Sequence, residues 1–244
     1  MVDRLTVEHL SKFYGKKHVV KDISFFMNSG DITGLLGPNG AGKTTSFYMI
    51  VGFIKRNGGT IKINDEDITS LQMHERSKMG LAYLPQEPSI FRKLTVEDNI
   101  RLVLEAQDYL TKKERKDKEE ELLVAFGIDR VRKQYGYTLS GGERRRTEIA
   151  RALATSPKFL LLDEPFAGID PKAVYEIKQI VKHLADNGIG LLLTDHNVRD
   201  TLEITTEAHI ISNGEILVSG TRNEVLENES AREIYFGRDF MDSY

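Results

Sequence analysis

The chain predicts an α/β fold on a largely parallel sheet, and three observations carry that expectation. Three short apolar runs, Ile32–Leu36, Phe159–Leu162 and Ile189–Leu193, lack polar alternation. Such runs suit parallel strands buried on both faces and covered by helices. Next, Gly37-Pro38-Asn39-Gly40-Ala41-Gly42-Lys43-Thr44 stands directly after the first run and before the helix-like Thr45–Val51, a strand, glycine-rich loop and helix in succession. Finally, 244 residues with 40% hydrophobic and 29% charged content describe an ordinary globular chain able to bury a core.

Composition also excludes function classes. The formal charge of -3 gives no electrostatic reason to expect nucleic acid as a partner. Without cysteine there is no disulfide, thiolate metal site or cysteine nucleophile, and a reducing cytosol suits such a chain. Met1-Val2-Asp3-Arg4-Leu5 lacks the apolar core of a secretory signal. No segment approaches the ~20 apolar residues that cross a bilayer. If the protein works at a membrane, another chain is expected to span it.

Along the chain, Leu5–Leu10 and Ile23–Met27 read as short strands around the polar Gly15-Lys16-Lys17-His18, and Thr60–Ile63 follows the turn Asn57-Gly58-Gly59. These form an expected antiparallel β subdomain. Ile210–Ser212 and Glu215–Val218 flank Asn213-Gly214, a strong hairpin signal. From Glu87 to Thr155 the pattern turns to helical periods and dense charge. The expected organisation is one domain, 1–244, with a core of 1–86 and 156–244 and an inserted helical subdomain, 87–155. The charge run Lys112–Glu121 reads as a solvated helix face, with Glu114–Lys118 and Arg115–Glu119 at supportive spacing.

The chemistry concentrates in a few places. Glycines 37, 40 and 42 let a backbone curl around phosphates, and a helix starting near Lys43 adds its positive dipole end. Lys43 can reach the phosphates of ATP, and the Thr44 hydroxyl is a ligand for Mg²⁺. Asp163 ends an apolar run and so presents a carboxylate at the strand edge, where ligands of open α/β sheets bind. Mg²⁺ takes few protein oxygens beside phosphate and water, which one hydroxyl and one carboxylate provide. Glu164, next in sequence, can orient and polarise an attacking water. Ser140-Gly141-Gly142-Glu143 precedes the helical pattern Arg144–Leu153, so Ser140 reads as an N-cap with Glu143 at the capping-box position. The same hydroxyl and amides can also bind a γ-phosphate.

Taken together, the glycine loop, Leu139-Ser140-Gly141-Gly142-Glu143, Phe159-Leu160-Leu161-Leu162-Asp163-Glu164, Asp170 and Thr194-Asp195-His196 resemble the ATPase subunits of ATP-binding-cassette (ABC) transporters over nearly the whole chain. The resemblance implies a P-loop NTPase core, ATP and Mg²⁺, and ATP contacts from Gly37 through Thr45 (Gly37, Pro38, Asn39, Gly40, Ala41, Gly42, Lys43, Thr44 and Thr45). It implies that Tyr14 stacks on adenine, that Gln86 senses Mg²⁺ and the nucleophilic water, and that His196 contacts the γ-phosphate. Ser140, Gly141, Gly142 and Glu143 would serve ATP held on a partner's loop, and Asp170 lies in a loop that crosses the dimer interface. One copy of each motif per chain therefore implies a second copy of the protein during turnover.

Within the family, the wording of Leu84–Arg92, Gly142–Arg146, Asp163–Gly168, Thr194–Arg199 and the tail Tyr235–Phe240 resembles the lipopolysaccharide-export branch. That branch implies two integral membrane partners and a peripheral place on the cytoplasmic face of the inner membrane. The branched-chain amino-acid importers share much of this wording, and non-transport ABC ATPases are a further alternative. Phe91 and Arg92 are candidate couplers to membrane subunits, although Phe91 could equally fill the core of its own subdomain. The last residues, Met241–Tyr244, carry no familiar wording.

Overall fold

The computed structural model describes residues 2–236; the tail wording from Gly237 onward and Met241–Tyr244 lie outside the described residues. The first two strands are β1 (Arg4–Tyr14) and β2 (Lys17–Asn28), antiparallel from Arg4↔Asn28 to Tyr14↔Lys17. After β3 (Ile32–Leu36) and α1 (Lys43–Val51), β4 (Gly58–Ile63) pairs with β1 and β5 (Glu66–Asp67) with β4. Then come α2 (Met73–Lys78), β6 (Leu81–Leu84), α3 (Val96–Glu105), α4 (Lys112–Ala125) and α5 (Gly141–Leu153). The chain returns through β7 (Phe159–Asp163), α6 (Pro171–Asp186), β8 (Gly190–Thr194) and α7 (Val198–Ile204). It continues with β9 (Glu207–Ser212), β10 (Glu215–Gly220), α8 (Arg222–Glu227), α9 (Glu229–Ala231) and a π-helical turn, Arg232–Phe236.

The strands run in the order β5-β4-β1-β2-β10-β9-β3-β8-β7-β6. The antiparallel β1, β2, β4 and β5 join the rest through Glu215↔Asp22, while β9-β3-β8-β7-β6 pair in parallel. β3, β7 and β8 are buried at every residue, as their unalternating runs predict. Alternate residues of β7 enter different cores. Leu160 and Leu162 pack with Ile100, Leu123, Ile149, Ile177 and Val181 of the helical side. Leu161 packs with Phe47 and Ile50 of α1 and with Leu5, Ile23 and Ile61 of the antiparallel strands. A strand with apolar neighbours on both faces needs no polar positions.

Local expectations met mixed outcomes. The hairpin at Asn213-Gly214 forms, with Asn213 at φ 51° and Gly214 at φ 81°. The first two strands are longer than their apolar centres because ladder pairing carries on into polar residues. The pairs Glu114–Lys118 and Arg115–Glu119 do not form. Glu114 accepts instead from the backbone and hydroxyl of Thr111, closing a capping box, and Arg115 donates to the Gln107 carbonyl. Glu119 is buried rather than solvated, taking a bidentate pair from Arg101. Caps and buried pairs outweigh the few tenths of a kcal/mol of an exposed i,i+4 pair. Among the described residues no helix is long and apolar enough to cross a membrane.

Candidate active site

The glycine loop leaves β3 at Leu36 and enters α1 at Lys43. Its shape needs glycine at two positions for different reasons. A Cβ at Gly37 would sit 2.1 Å from the Ile211 carbonyl oxygen, so no side chain fits. Gly42 caps α1 in the left-handed region at φ 111° with no side-chain cap, which leaves the first-turn amides open to an anion. Asn39, Gly40 and Thr44 are exposed, Pro38 and Thr45 half-buried, and Ala41 buried. The Lys43 ammonium is drawn back into the loop, donating to the carbonyls of Gly37 at 2.6 Å and Pro38 at 3.1 Å. Burial pushes its pKa down, against the pull of Glu164 and Asp163. Two distant segments brace the loop. The Gly214 amide donates to the Ala41 carbonyl at 3.0 Å, and the Gly37 amide meets the phenol of Tyr235, whose pKa burial pushes up to about 12.

Opposite stands a cluster of carboxylates. Asp163, buried at the end of β7, accepts from the Thr194 hydroxyl at 2.6 Å and from the Tyr83 phenol at 3.3 Å. Glu164 turns the chain in the left-handed region, φ 46°, and its amide donates to the Thr194 carbonyl at 2.9 Å. That conformation aims its carboxylate between two partners: Nε2 of His196 lies 2.6 Å from Oε1, and Nε2 of Gln86 donates to Oε2 at 2.5 Å. Burial raises the Glu164 pKa, with Asp195 and Asp163 adding to the rise and His196 and Lys43 opposing it. A carboxylate raised in this way is a better proton acceptor than an ordinary one and keeps the charge that polarises water. The Asp163 carboxylate near Lys43 and the exposed hydroxyl of Thr44, next in sequence, are the hard oxygen donors that Mg²⁺ prefers, and Gln86 is tied into the same cluster through its amide nitrogen on Glu164.

Ser140–Glu143 are placed elsewhere. Ser140 caps α5 by accepting from the Glu143 amide, and Glu143 reaches back to the Ser140 amide at 2.9 Å and hydroxyl at 2.6 Å. That bond holds the Glu143 carboxyl below the usual range. A Cβ at Gly141 would come 3.4 Å from Ile169, and one at Gly142 3.1 Å from the Ala173 Cβ, so α5 lies close on the loop leading to Asp170. Asp170 itself caps α6, accepting from the Ala173 amide at 3.1 Å. The buried face of α5 also grips the segment after Gln86. Arg145 donates to the Pro85 carbonyl at 2.9 Å, Glu148 accepts from the Ser89 amide at 2.8 Å, and Arg151 donates to the Ser89 carbonyl at 2.7 Å.

The structure thus gathers Lys43, Gln86, Asp163, Glu164 and His196, and sets Ser140–Glu143 against residues 168–173. Tyr14 ends β1 half-exposed, with the Lys12 ammonium 5.3 Å from its ring centroid. Phe91 does not fill the core: it is 48% exposed beneath the Arg151 guanidinium, beside the exposed Arg92. Tyr83 is a site neighbour with no signal in the sequence, whereas Thr194, Asp195 and Tyr235 stand out there only as family wording around His196 and in the tail, with no role of their own.

A family profile described as "ABC transporter" matches residues 20–167. The lipopolysaccharide export system ATP-binding protein LptB of Escherichia coli (strain K12) is 53% identical over 236 residues, covering 97% of this chain and 98% of that one. LptB of Haemophilus influenzae is 52% identical over the same shares of the two chains. Among solved structures, the ADP conformation of MJ1267, an ATP-binding cassette of an ABC transporter, superposes with a TM-score of 0.85 at 28% identity, covering 97% of this chain and 99% of that one. With the strand–loop–helix and the carboxylate cluster in place, this chain belongs to the ATP-binding subunits of the ABC transporters.

Proposed function

We propose that the chain is the ATP-hydrolysing motor of a lipopolysaccharide exporter. It would work as two copies beneath two integral membrane subunits, on the cytoplasmic face of the inner membrane. The observation that carries the catalytic half is Glu164 held between His196 and Gln86, at 2.6 and 2.5 Å. The cargo rests on 53% identity to a lipopolysaccharide-export ATPase, because nothing in a cassette need touch what is moved.

In this reading Tyr14 stacks on adenine, and the amides from Gly37 to Thr45 with the Lys43 ammonium bind the phosphates. Thr44, Asp163 and Gln86 would hold Mg²⁺, which would supply positive charge to offset that of the phosphates. Glu164 fixes the attacking water and draws on its proton, Gln86 fixes the carboxylate, and His196 leaves it to meet the γ-phosphate. Ser140–Glu143 complete the site of the second copy, with Asp170 crossing between copies. The helical subdomain, 87–155, carries Phe91 and Arg92 to the membrane subunits.

Glu164→Gln tests the catalytic half. The amide keeps size and hydrogen bonding but loses charge, so ATP should bind and the two-copy state should accumulate in light scattering, while turnover falls by about 100-fold or more. Near-normal turnover would remove Glu164 from this role. Co-purification from native membranes tests the cargo: attachment to amino-acid importer subunits would overturn it.

A further inference from the structure

His196 sits in a loop with no regular structure between β8 and α7. What holds that loop is polar and comes from two directions. Asp195 accepts from the Phe166 amide at 3.1 Å through one oxygen and from the Asn197 amide at 2.8 Å through the other. Asn197 caps α7 by accepting from the Asp200 amide at 3.1 Å, and its side-chain amide donates to Oδ2 of Asp200. The remaining oxygen of Asp200 accepts from the ammonium of Lys178 at 2.8 Å, which also donates to Glu203 at 2.5 Å. Lys178 is 6% exposed and lies on α6, the helix that Asp170 caps. Eight residues of helix, about 12 Å at 1.5 Å per residue, separate that cap from the lysine.

We infer that Lys178 is a positioning residue for hydrolysis: it ties α6 to α7 through Asp200 and Glu203, and so sets where the 195–197 loop presents His196. The inference rests on the role given to His196 above. A buried ammonium is a poor choice for stability alone, because an apolar side chain of similar length usually packs as well without desolvating a charge. Its use is directional. Asp200 and Glu203 stand one turn apart on α7, and a single ammonium between them fixes both the rotation and the height of that helix. Through Asp200 and Asn197 the same constraint reaches the residue next to His196. Since Asp170 caps α6, a displacement of that cap by a second copy of the chain would travel down the helix to Lys178 and on to the histidine.

The test compares Lys178→Met with the native protein in turnover and in the histidine ring spectrum. The His196 resonance is assigned by its loss in His196→Ala. The expected result is a fall in kcat of about tenfold, with KM for ATP changed less than about twofold, and a displaced or broadened His196 line, while the exposed His9 and His74 lines stay put. An unmoved His196 line, or an unchanged kcat, would overturn the inference. Should Lys178→Met fail to fold, Asp200→Asn decides by the same two readings, and Lys178→Arg should restore part of kcat. Full turnover in His196→Ala would instead sink the role of the histidine, whereas the line position reports the Lys178 tie independently.

Discussion

Lys43 and Glu164 face one another across the site, and each titrates abnormally for the same reason: burial penalises its charge, and the other opposes that penalty. Their deletions should nevertheless differ. Lys43→Ala removes a charged donor to phosphate, worth about 1.5–3 kcal/mol, so calorimetry should show ATP binding weakened by roughly 10- to 100-fold. Undiminished affinity would contradict the phosphate-loop assignment. His196→Ala should instead leave ADP affinity intact and lower turnover, because the proposed contact is to the γ-phosphate alone. A large loss of ADP affinity would make the histidine a structural support for the loop.

At the scale of elements, α5 uses one serine for two purposes. Ser140 closes a capping box in the free chain, and its hydroxyl and neighbouring amides are the groups proposed to meet ATP on the other copy. Ser140→Asn separates the two, since Asn caps helices as well as Ser does and brings no second carboxylate against Glu143. The melting temperature should stay within a few degrees, while ATP-driven association in light scattering is weakened because the hydroxyl that would meet the γ-phosphate is gone. Phe91 belongs to the same scale. Truncating a buried Phe would cost about 3–5 kcal/mol, but Phe91 is 48% exposed, so Phe91→Ala should leave thermal stability nearly intact and abolish association with the membrane subunits. Stable assembly with a normal fold would end the coupling role. These elements differed in how far the sequence revealed them. The glycine loop, Ser140–Glu143 and Asp163-Glu164 were readable because each acts through contiguous residues. Tyr83 on Asp163, Tyr235 on Gly37 and Lys178 on Asp200 were not, because the sheet order brings them together and no local pattern marks them. Glu119 misled for a related reason: a charge run shows which residues are polar, not which one a neighbouring helix will turn inward.

For the molecule as a whole, His209 sets a lower limit on the pH of stability. It is 3% exposed on β9, bonded to the Ser219 hydroxyl at 2.8 Å and tilted against Phe25. Burial takes its pKa from 6.5 down to about 4. The unfolded chain therefore binds this proton first, so the contribution is complete above pH 6.5 and is lost as pH falls towards 4, by about 1.4 kcal/mol per unit. Urea unfolding at pH 7, 6 and 5 should show that slope, and His209→Phe should flatten it; parallel slopes would clear the histidine. The turn at Glu164 bears on stability from the other side. A glutamate at φ 46° holds a conformation that costs about 1 kcal/mol or more outside glycine, in a pocket already crowded with acids. Replacing it by glycine would relax the backbone and empty the pocket of one charge, and the inactive protein should melt a few degrees above the native one. Heat resistance alone would thus favour glycine or asparagine at this turn, and only hydrolysis gives the chain a reason to place a glutamate there.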